Sequence, residues 1–264
     1  MQGYNIKIKI TSTLIIFLLF NFSYGIINSI EKAVKTPDDI LPINDSFVIP
    51  VVYTDTISLN NLPVAEKKKK FFEMMLPAIL VSKAKLDETL DKVEIISKKN
   101  KLTLDEYIYL TKLQDKYKTK DTDILMKRLH TSPASIVLAQ SAIESGWGTS
   151  RFFLQADNPF GIWSFDENED RIVASETRGK KKIYLKKFKN LAESIDAYFM
   201  LIATGPYATF RAENLKNHDS LSLVKHLHRY SEKKEVYVRE LEQIIESNDL
   251  RKFDTYRISP QYIQ

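Results

Sequence analysis

The sequence contains no cysteine among its 264 residues. This absence excludes disulfide bonds, so packing must stabilise the folded chain, and it excludes a lipid-modified cysteine as a membrane anchor. The sequence also lacks a Gly-x-Ser-x-Gly elbow, a phosphate-binding loop and a dinucleotide fingerprint. Of the four histidines, His226 and His228 are two residues apart on a predicted helix and do not share a face. We therefore expect neither a metal ion nor another cofactor.

A large excess of charge of either sign is also absent. The 39 Lys and Arg residues stand against 34 Asp and Glu residues, and the formal net charge is +5. Loss of the two lysines in the N-terminal leader would leave +3. This excess is too small to indicate nucleic-acid binding, whereas it suits an anionic cell-wall polymer and equally an ordinary soluble surface.

Residues 1–25 have the pattern of a secretory signal peptide. Lys7 and Lys9 form a positive segment, residues 10–20 are apolar, and Ser23 and Gly25 are small residues at cleavage-like spacing. The apolar run is short for a membrane-spanning helix, although a retained N-terminal anchor is the alternative. We therefore predict cleavage near Gly25, no stable membrane span afterwards, and export to the periplasm or cell envelope.

The remaining chain changes pattern near residue 66. Residues 26–66 contain four prolines between short β-type runs, which predicts an extended segment whose strands are short or at an edge. This segment either lies along the main domain or spans the distance to the membrane. Helical periodicity begins near Ala65 and predicts a main domain over residues 67–264, with a core at about 121–256. Pro77 is expected to kink or split its first helix.

The functional interpretation depends on residues 132–151. Ser132 is a favourable N-cap, Pro133 suits the first helical position, and the almost wholly apolar helix that follows ends at Gly146. Glu144 therefore lies in the last turn, where the helix dipole disfavours a negative charge. An acid at this end of a buried helix favours a chemical role, with a solvated carboxylate at a helix end as the alternative.

Glycine and tryptophan are scarce, and both concentrate near this helix end. Of the seven glycines, two lie in the leader and three are Gly146, Gly148 and Gly161. The two tryptophans, Trp147 and Trp163, lie in the same region. Glycine permits tight turns and close backbone approach, and aromatic faces beside such backbone suit a sugar-binding cleft.

The run SPASIVLAQSAIESGWGTSRF, followed by DNPFGIW, resembles the glucosaminidases of glycoside hydrolase family 73, in particular their Bax-like branch. The family pattern is an apolar helix ending in Glu-Ser-Gly-Trp-Gly-x-Ser and then an Asn-x-Phe-Gly turn. The similarity extends from about residue 70 to about residue 256. It implies a lysozyme-like fold and cleavage of the β-1,4 bond between N-acetylglucosamine and N-acetylmuramic acid in peptidoglycan.

The order of predicted elements agrees with that fold. Most segments have helical periodicity, including helices at residues 221–230 and 234–247, and Thr103 to Glu106 form a capping box. Residues 171–176 and 181–188 instead predict two strands joined by a turn. We therefore predict an α+β, mainly α protein in which a small β-hairpin lobe is inserted into a helical domain.

Hydrolysis of a glycosidic bond requires a proton donor and usually a second carboxylate. Glu144 is the predicted general acid, because burial beside apolar groups and Trp147 would keep its carboxyl protonated. The family resemblance implies a second acid on the β lobe, and Glu176 matches by its place before the basic second strand. Alternatives in the neighbouring acidic loop are Glu167, Glu169 and Asp170. A 2-acetamido substrate can also supply its own nucleophile, in which case Glu176 would orient and stabilise.

Substrate contacts are predicted from the resemblance and from aromatic chemistry. Tyr207 matches a tyrosine near the cleft in the family, with a core aromatic as the alternative, and Phe160 also has a core alternative. The residues predicted to bind substrate are Trp147, Asn158, Phe160, Trp163 and Tyr207.

The sequence as a whole predicts a secreted endo-β-N-acetylglucosaminidase that acts on peptidoglycan glycan strands. A lytic transglycosylase is the nearest alternative, although its usual Gly-Leu-Met-Gln segment is absent and a β-lobe acid is present. A non-catalytic wall-binding or scaffold protein is the alternative from another class.

Overall fold

The computed structural model describes the backbone of residues 27–178 and 181–264. It describes the side chains of the same residues, except those from 175 to 181. The predicted signal peptide lies outside the described residues. Within them, no helix is both long enough and apolar enough to cross a membrane.

The described residues are mainly helical, and the predicted α+β class is confirmed. Their α-helices are α1 (Val64–Ser97), α2 (Leu104–Lys116), α3 (Thr122–Leu129), α4 (Ala134–Ser145), α5 (Arg151–Ala156), α6 (Leu191–Thr204), α7 (Ala208–Asn214), α8 (Ser220–Leu223) and α9 (Glu235–Ser247). Their strands are β1 (Ile30–Ala33), β2 (Phe47–Val48), β3 (Val51–Thr54), β4 (Arg171–Arg178), β5 (Lys181–Lys186) and β6 (Arg257–Ile258). These strands form three separate two-stranded sheets. Strand β1 pairs with β3 and β2 with β6, both in parallel, and β4 and β5 form an antiparallel hairpin.

Helix α4 lies in the centre of the core. Ten of its twelve residues are buried, and it packs against α1, α9 and the 3-10 segment Leu250–Thr255. The N-terminal part of α1 meets the end of α4 through Phe72 and Trp147, whereas Lys83 of α1 donates to the Ser132 carbonyl before α4 begins. The two helices therefore run in opposite directions, and α4 is buried along its length.

The start of α4 differs by one residue from the prediction. The helix begins at Ala134 with Pro133 in the N-cap position, so the predicted N-cap at Ser132 is wrong. The cap comes from a distant part of the chain instead. The Asp254 carboxylate accepts the Ser135 amide and hydroxyl, each at 2.8 Å. A side-chain oxygen from another segment thus satisfies a free amide of the first turn.

The end of α4 is a left-handed turn, as the glycine pattern predicted. Gly146, Trp147 and Gly148 have φ angles of 57°, 61° and 75°. A Cβ atom on Gly148 would lie 3.1 Å from the rings of both Phe71 and Phe153, so the backbone approach is close as well as left-handed. The left-handed conformation of Trp147 costs on the order of 1 kcal/mol, which its ring packing must offset.

The extended N-terminal segment lies along the main domain, which was the first of the two sequence-based alternatives. Its strands pair only two at a time, and its apolar residues enter the core, with Tyr53 fully buried. Thr56 donates to the Phe153 carbonyl at 3.0 Å, and Ile27 forms a bridge with Ile263 near the C-terminus. Residues 27–66 are therefore part of the packed structure.

Two helices differ in detail from their predictions. Helix α1 continues through Pro77, so the predicted split is wrong, whereas a kink at Pro77 stays a prediction. An internal proline costs about 3 kcal/mol, and the burial of residues 71–82 in the core offsets this cost. The predicted helix at 221–230 is instead the short α8 followed by a 3-10 turn, Val224–Leu227. The three-residue period of that turn aligns Val224 with Leu227, and both side chains are buried.

The hairpin lobe forms where the sequence predicted it. Strand β4 extends two residues beyond the predicted end, so the connection is shorter than expected, and residues 179–180 lie outside the described part. The register pairs Arg171 with Lys186 and shifts between Val173 and Thr177. A bridge between Trp163 and Leu185 joins the hairpin to the loop that follows α5, and the lobe comprises the hairpin and this loop.

Candidate active site

Glu144 occupies the last turn of α4 and is half-buried. Burial is the main reason that the pKa of its carboxyl is raised above the ordinary value, and Glu240 adds to this effect. A hydrogen bond from Tyr237 and the charge of Lys233 act in the opposite direction. The carboxyl is therefore more readily protonated than a solvated glutamate, which is the state that a general acid requires.

A directed chain of hydrogen bonds leads to this carboxyl. The Tyr198 hydroxyl donates to Gln140 Oε1 at 2.6 Å, and Gln140 Nε2 donates to the Tyr237 hydroxyl at 2.9 Å. Because Tyr237 accepts from Gln140, its single proton remains available for donation to Glu144. The chain therefore presents a donor to Glu144 and stabilises its ionised form against the effect of burial.

Three tyrosines form the aromatic wall beside Glu144. Tyr230 and Tyr237 are stacked at 5.8 Å with an interplanar angle of 4°, and Tyr207 lies 6.1 Å from Tyr230. Burial raises the pKa of the Tyr207 and Tyr230 hydroxyls, and the charge of Glu144 raises both further. These phenols therefore stay neutral at neutral pH. Tyr207 was predicted near the cleft, whereas Tyr230 and Tyr237 were not.

Trp147 follows Glu144 in the chain, but its ring packs against α1. The indole packs against Phe71 and Phe72 at centroid distances of 6.0 and 5.5 Å, and Lys68 Nζ lies 4.6 Å from the ring centre. The tyrosine wall therefore supplies aromatic surroundings that the sequence had attributed to Trp147. Substrate binding by Trp147 stays a prediction.

Asn158 and Phe160 form the base of the lobe. Asn158 is 1% exposed, and its amide donates to the carbonyls of Ile162 at 3.0 Å and Lys186 at 2.8 Å. Its oxygen accepts the Ile162 amide at 2.9 Å. Phe160 is buried and stacks on Tyr198 at 4.5 Å. These hydrogen bonds and the ring stacking hold the turn at residues 158–161 against β5 and the core. Direct contact of either residue with substrate stays a prediction.

Trp163 belongs to an exposed aromatic pair on the lobe. Trp163 is 45% exposed, Phe165 is 83% exposed, and their rings are 6.0 Å apart. Sequence reasoning missed Phe165, since a single phenylalanine in an acidic loop belongs to no recognisable motif. Exposed neighbouring aromatic rings offer an apolar surface to a ligand, which is unusual for an isolated loop.

The lobe also carries the candidates for the second carboxylate. Glu176 belongs to β4, and its side chain lies outside the described residues. Among the alternatives, Glu169 pairs with Lys186 Nζ at 2.8 Å, and this contact lowers its pKa. Glu167 is exposed and 3.8 Å from Arg171, and Asp170 is exposed. In the described part of the chain, no group of three or more His, Asp or Glu side chains could hold a metal ion.

Residues 120–250 match the family model described as mannosyl-glycoprotein endo-beta-N-acetylglucosaminidase. The chain is 29% identical over 156 residues to Protein bax of Escherichia coli K12, covering 55% of this chain and 54% of that protein. It is 30% identical over 151 residues to exo-glucosaminidase LytG of Bacillus subtilis 168, covering 53% and 50%. The chain thus spans about half the length of these curated relatives.

Two solved structures overlap this chain at low similarity. The catalytic domain of the autolysin Auto from Listeria monocytogenes covers 62% of this chain and 96% of its own, with 19% identity and a TM-score of 0.40. A peptidoglycan hydrolase from Sphingomonas sp. A1 covers 55% and 85%, with 20% identity and a TM-score of 0.38.

The family match defines the class of the matched domain. Residues 120–250 form a domain of the glucosaminidase family of glycoside hydrolases. The matched segment includes Glu144, the tyrosine wall and the hairpin lobe, whereas α1, α2 and the last 14 residues lie outside it.

The hydrogen-bond chain makes a prediction about titration. Tyr237→Phe removes the donor that favours the carboxylate, so the pKa of Glu144 should rise further. Carbon-13 NMR of labelled glutamate carboxyls can follow this titration, with Glu144→Gln identifying the signal. Tyr107→Phe, on the exposed face of α2, should leave the titration unchanged. An unchanged or lowered pKa in Tyr237→Phe would show that Tyr237 does not donate to Glu144.

Proposed function

We propose that this protein is an exported peptidoglycan hydrolase that cleaves the β-1,4 bond between N-acetylglucosamine and N-acetylmuramic acid. The observation that carries the proposal is the Glu144 carboxyl, held at the end of a buried helix against neutral tyrosines with its pKa raised by burial. Family membership supports a glycosidic bond as the target, and the leader pattern of residues 1–25 supports export.

In this proposal Glu144 is the general acid. Its proton passes to the leaving glycosidic oxygen as the bond to the anomeric carbon breaks. The carboxylate that remains accepts the hydrogen bond from Tyr237, whose orientation is fixed by Gln140. A water molecule supplies the hydroxyl for the anomeric carbon, and its remaining proton restores the acid.

The second carboxylate belongs to the β lobe, and we propose Glu176. Its position on β4 supports this choice, and the pairing of Glu169 with Lys186 makes that alternative less available. Glu176 either acts on water directly or orients a 2-acetamido group that serves as the nucleophile. In both cases, the lobe must place this side chain across the glycan from Glu144, which closure of the lobe would achieve.

The exposed aromatic pair supports a role in holding the glycan. Trp163 and Phe165 are on the same lobe as the proposed second acid, and their exposed rings suit the apolar faces of sugar rings. Tyr207 forms part of the wall beside the general acid. The lobe would thus contribute both binding surface and a carboxylate.

Glu144→Gln keeps the shape of the side chain and removes its transferable proton. Hydrolysis of purified sacculi should fall by about 10²- to 10⁴-fold, the usual contribution of general acid catalysis. Glu246→Gln, an exposed position on α9, is the matched control and should retain activity. Undiminished hydrolysis by Glu144→Gln would remove Glu144 from the mechanism.

The same variant should be no less stable than the wild type at neutral pH. The raised pKa means that the unfolded chain releases this proton at lower pH than the folded chain, so ionisation of Glu144 destabilises the fold as pH rises. Any gain in melting temperature should disappear when the pH falls below 4.5, the ordinary pKa of a glutamate carboxyl, because Glu144 is then protonated in both the folded and the unfolded chain. A large loss of stability would instead assign Glu144 a structural role.

Glu176→Gln tests the second acid separately. This substitution on the hairpin should lower turnover strongly and leave the melting temperature nearly unchanged, since it removes a charge without changing side-chain size. Glu169→Gln and Asp170→Asn are the comparison variants. If either of them causes the larger loss of turnover, Glu176 is the wrong residue.

A further inference from the structure

A separate groove of about 670 Å³ lies between the first turns of α1 and the chain that follows α9. Most of its lining lies outside residues 120–250, the segment that defines the family. The groove brings together a carboxylate, aromatic rings and lysines, namely Lys68, Phe72 and Glu73 from α1 and Lys252, Phe253 and Tyr256 from the C-terminal chain.

Glu73 is the most unusual residue of this groove. It is 4% exposed, and neither carboxylate oxygen has a hydrogen-bond partner among the described residues. The ammonium groups of Lys69 and Lys70 are each 3.8 Å away, too far for a hydrogen bond, and Lys70 donates instead to the Ile40 carbonyl at 2.9 Å. The two ammonium groups thus compensate the charge of the Glu73 carboxylate, whereas its oxygens accept no hydrogen bond from the described residues. Both oxygens have almost no accessible surface, so a ligand donor reaches them only when a neighbouring side chain moves. A carboxylate buried without hydrogen bonds is costly, and it then accepts such a donor favourably.

The walls of the groove are aromatic. Phe72 and Phe253 have ring centroids 6.4 Å apart, and Phe253 meets Tyr256 edge to face at 5.1 Å. Trp147 packs against Phe72 at 5.5 Å and so connects this wall to the turn after Glu144. Aromatic walls next to an acceptor suit a ligand that has both an apolar face and hydroxyl or amide donors.

The rim of the groove is positively charged. Lys69 and Lys252 are exposed, and Lys68 is half-buried with its ammonium over the Trp147 ring. Lys252 pairs with Asp249 at 3.3 Å, but exposed pairs of this kind are weak and exchange partners readily. With Glu73 as the only acid in the lining, the groove carries a net positive charge and favours a ligand with a negative group.

We propose that this groove binds a carboxylate-bearing sugar of the glycan strand, with the chemistry of N-acetylmuramic acid. The lactyl carboxylate pairs with Lys68 and Lys252, a hydroxyl or amide group of the sugar donates to Glu73, and the ring lies against the aromatic wall. The inference rests on the proposed function only for the source of this sugar. The groove then holds the strand at a site separate from the bond that Glu144 protonates.

Free N-acetylmuramic acid is a suitable probe, because it has no glycosidic bond to hydrolyse. In the full chain carrying Trp163→Phe, Trp147 is the only tryptophan, and its ring contacts Lys68 and Phe72. We expect a saturable change in tryptophan fluorescence with N-acetylmuramic acid. N-acetylglucosamine, which lacks the lactyl carboxylate, should bind about threefold to fivefold more weakly.

Substitutions at the rim distinguish the groove from nonspecific attraction. Lys68→Gln and Lys252→Gln should weaken N-acetylmuramic acid binding to the level of N-acetylglucosamine. Lys67→Gln is the matched control, since it removes the same charge from the same helix turn without lining the groove. Glu73→Gln should weaken binding of both sugars, and the two rim variants keep the test valid if this buried substitution affects folding.

Several results would overturn the proposal. These are the absence of a saturable change, an equal effect of Lys67→Gln and Lys252→Gln, or stronger binding of an acidic tripeptide than of the sugar. Loss of binding in Glu144→Gln with no effect of Lys252→Gln would place the sugar in the catalytic cleft instead. Failure of the proposed function is distinguishable, because sugar binding in the groove without any hydrolysis of sacculi would contradict the enzymatic role alone.

Discussion

The burial of α4 is the constraint on which the rest of the structure depends. A helix enclosed by α1, α9 and the C-terminal chain can present a side chain only at its ends, and Glu144 lies in the last turn. At the start of α4, the Asp254 carboxylate accepts a hydrogen bond from the Ser135 amide. At its end, the left-handed residues from Gly146 to Gly148 terminate the helix. The position of Glu144 is therefore fixed by the core.

The electrostatics of Glu144 result from two opposing effects. Burial beside the tyrosine wall raises the pKa of the carboxyl, and the donor chain through Gln140 and Tyr237 limits that rise. An acid that gives up its proton during a reaction must be protonated before that step and tolerated as an anion after it. The surroundings of Glu144 meet both requirements, because burial favours the protonated acid while Tyr237 and the charge of Lys233 favour the anion.

Local features were predictable from the sequence, whereas contacts between distant segments were not. The Thr103 capping box and the turn at Gly146 depend on residues close together in the chain, and both are present in the structure. Tyr237 is far from Glu144 in sequence, and no local pattern links the two. The Asp254 cap and the continuity of α1 through Pro77 likewise depend on packing that no single segment encodes. The side chain of Glu176 lies outside the described residues, so the second acid still rests on the family resemblance.

Identification of the sugar ends released from purified sacculi tests the central claim most directly. Cleavage by the proposed hydrolase yields fragments with N-acetylglucosamine at the reducing end, which mass spectrometry after borohydride reduction can identify. An anhydromuramic end would show a lytic transglycosylase, and a reducing muramic end would show cleavage of the other glycosidic bond. Either of these products would contradict the reaction proposed for Glu144.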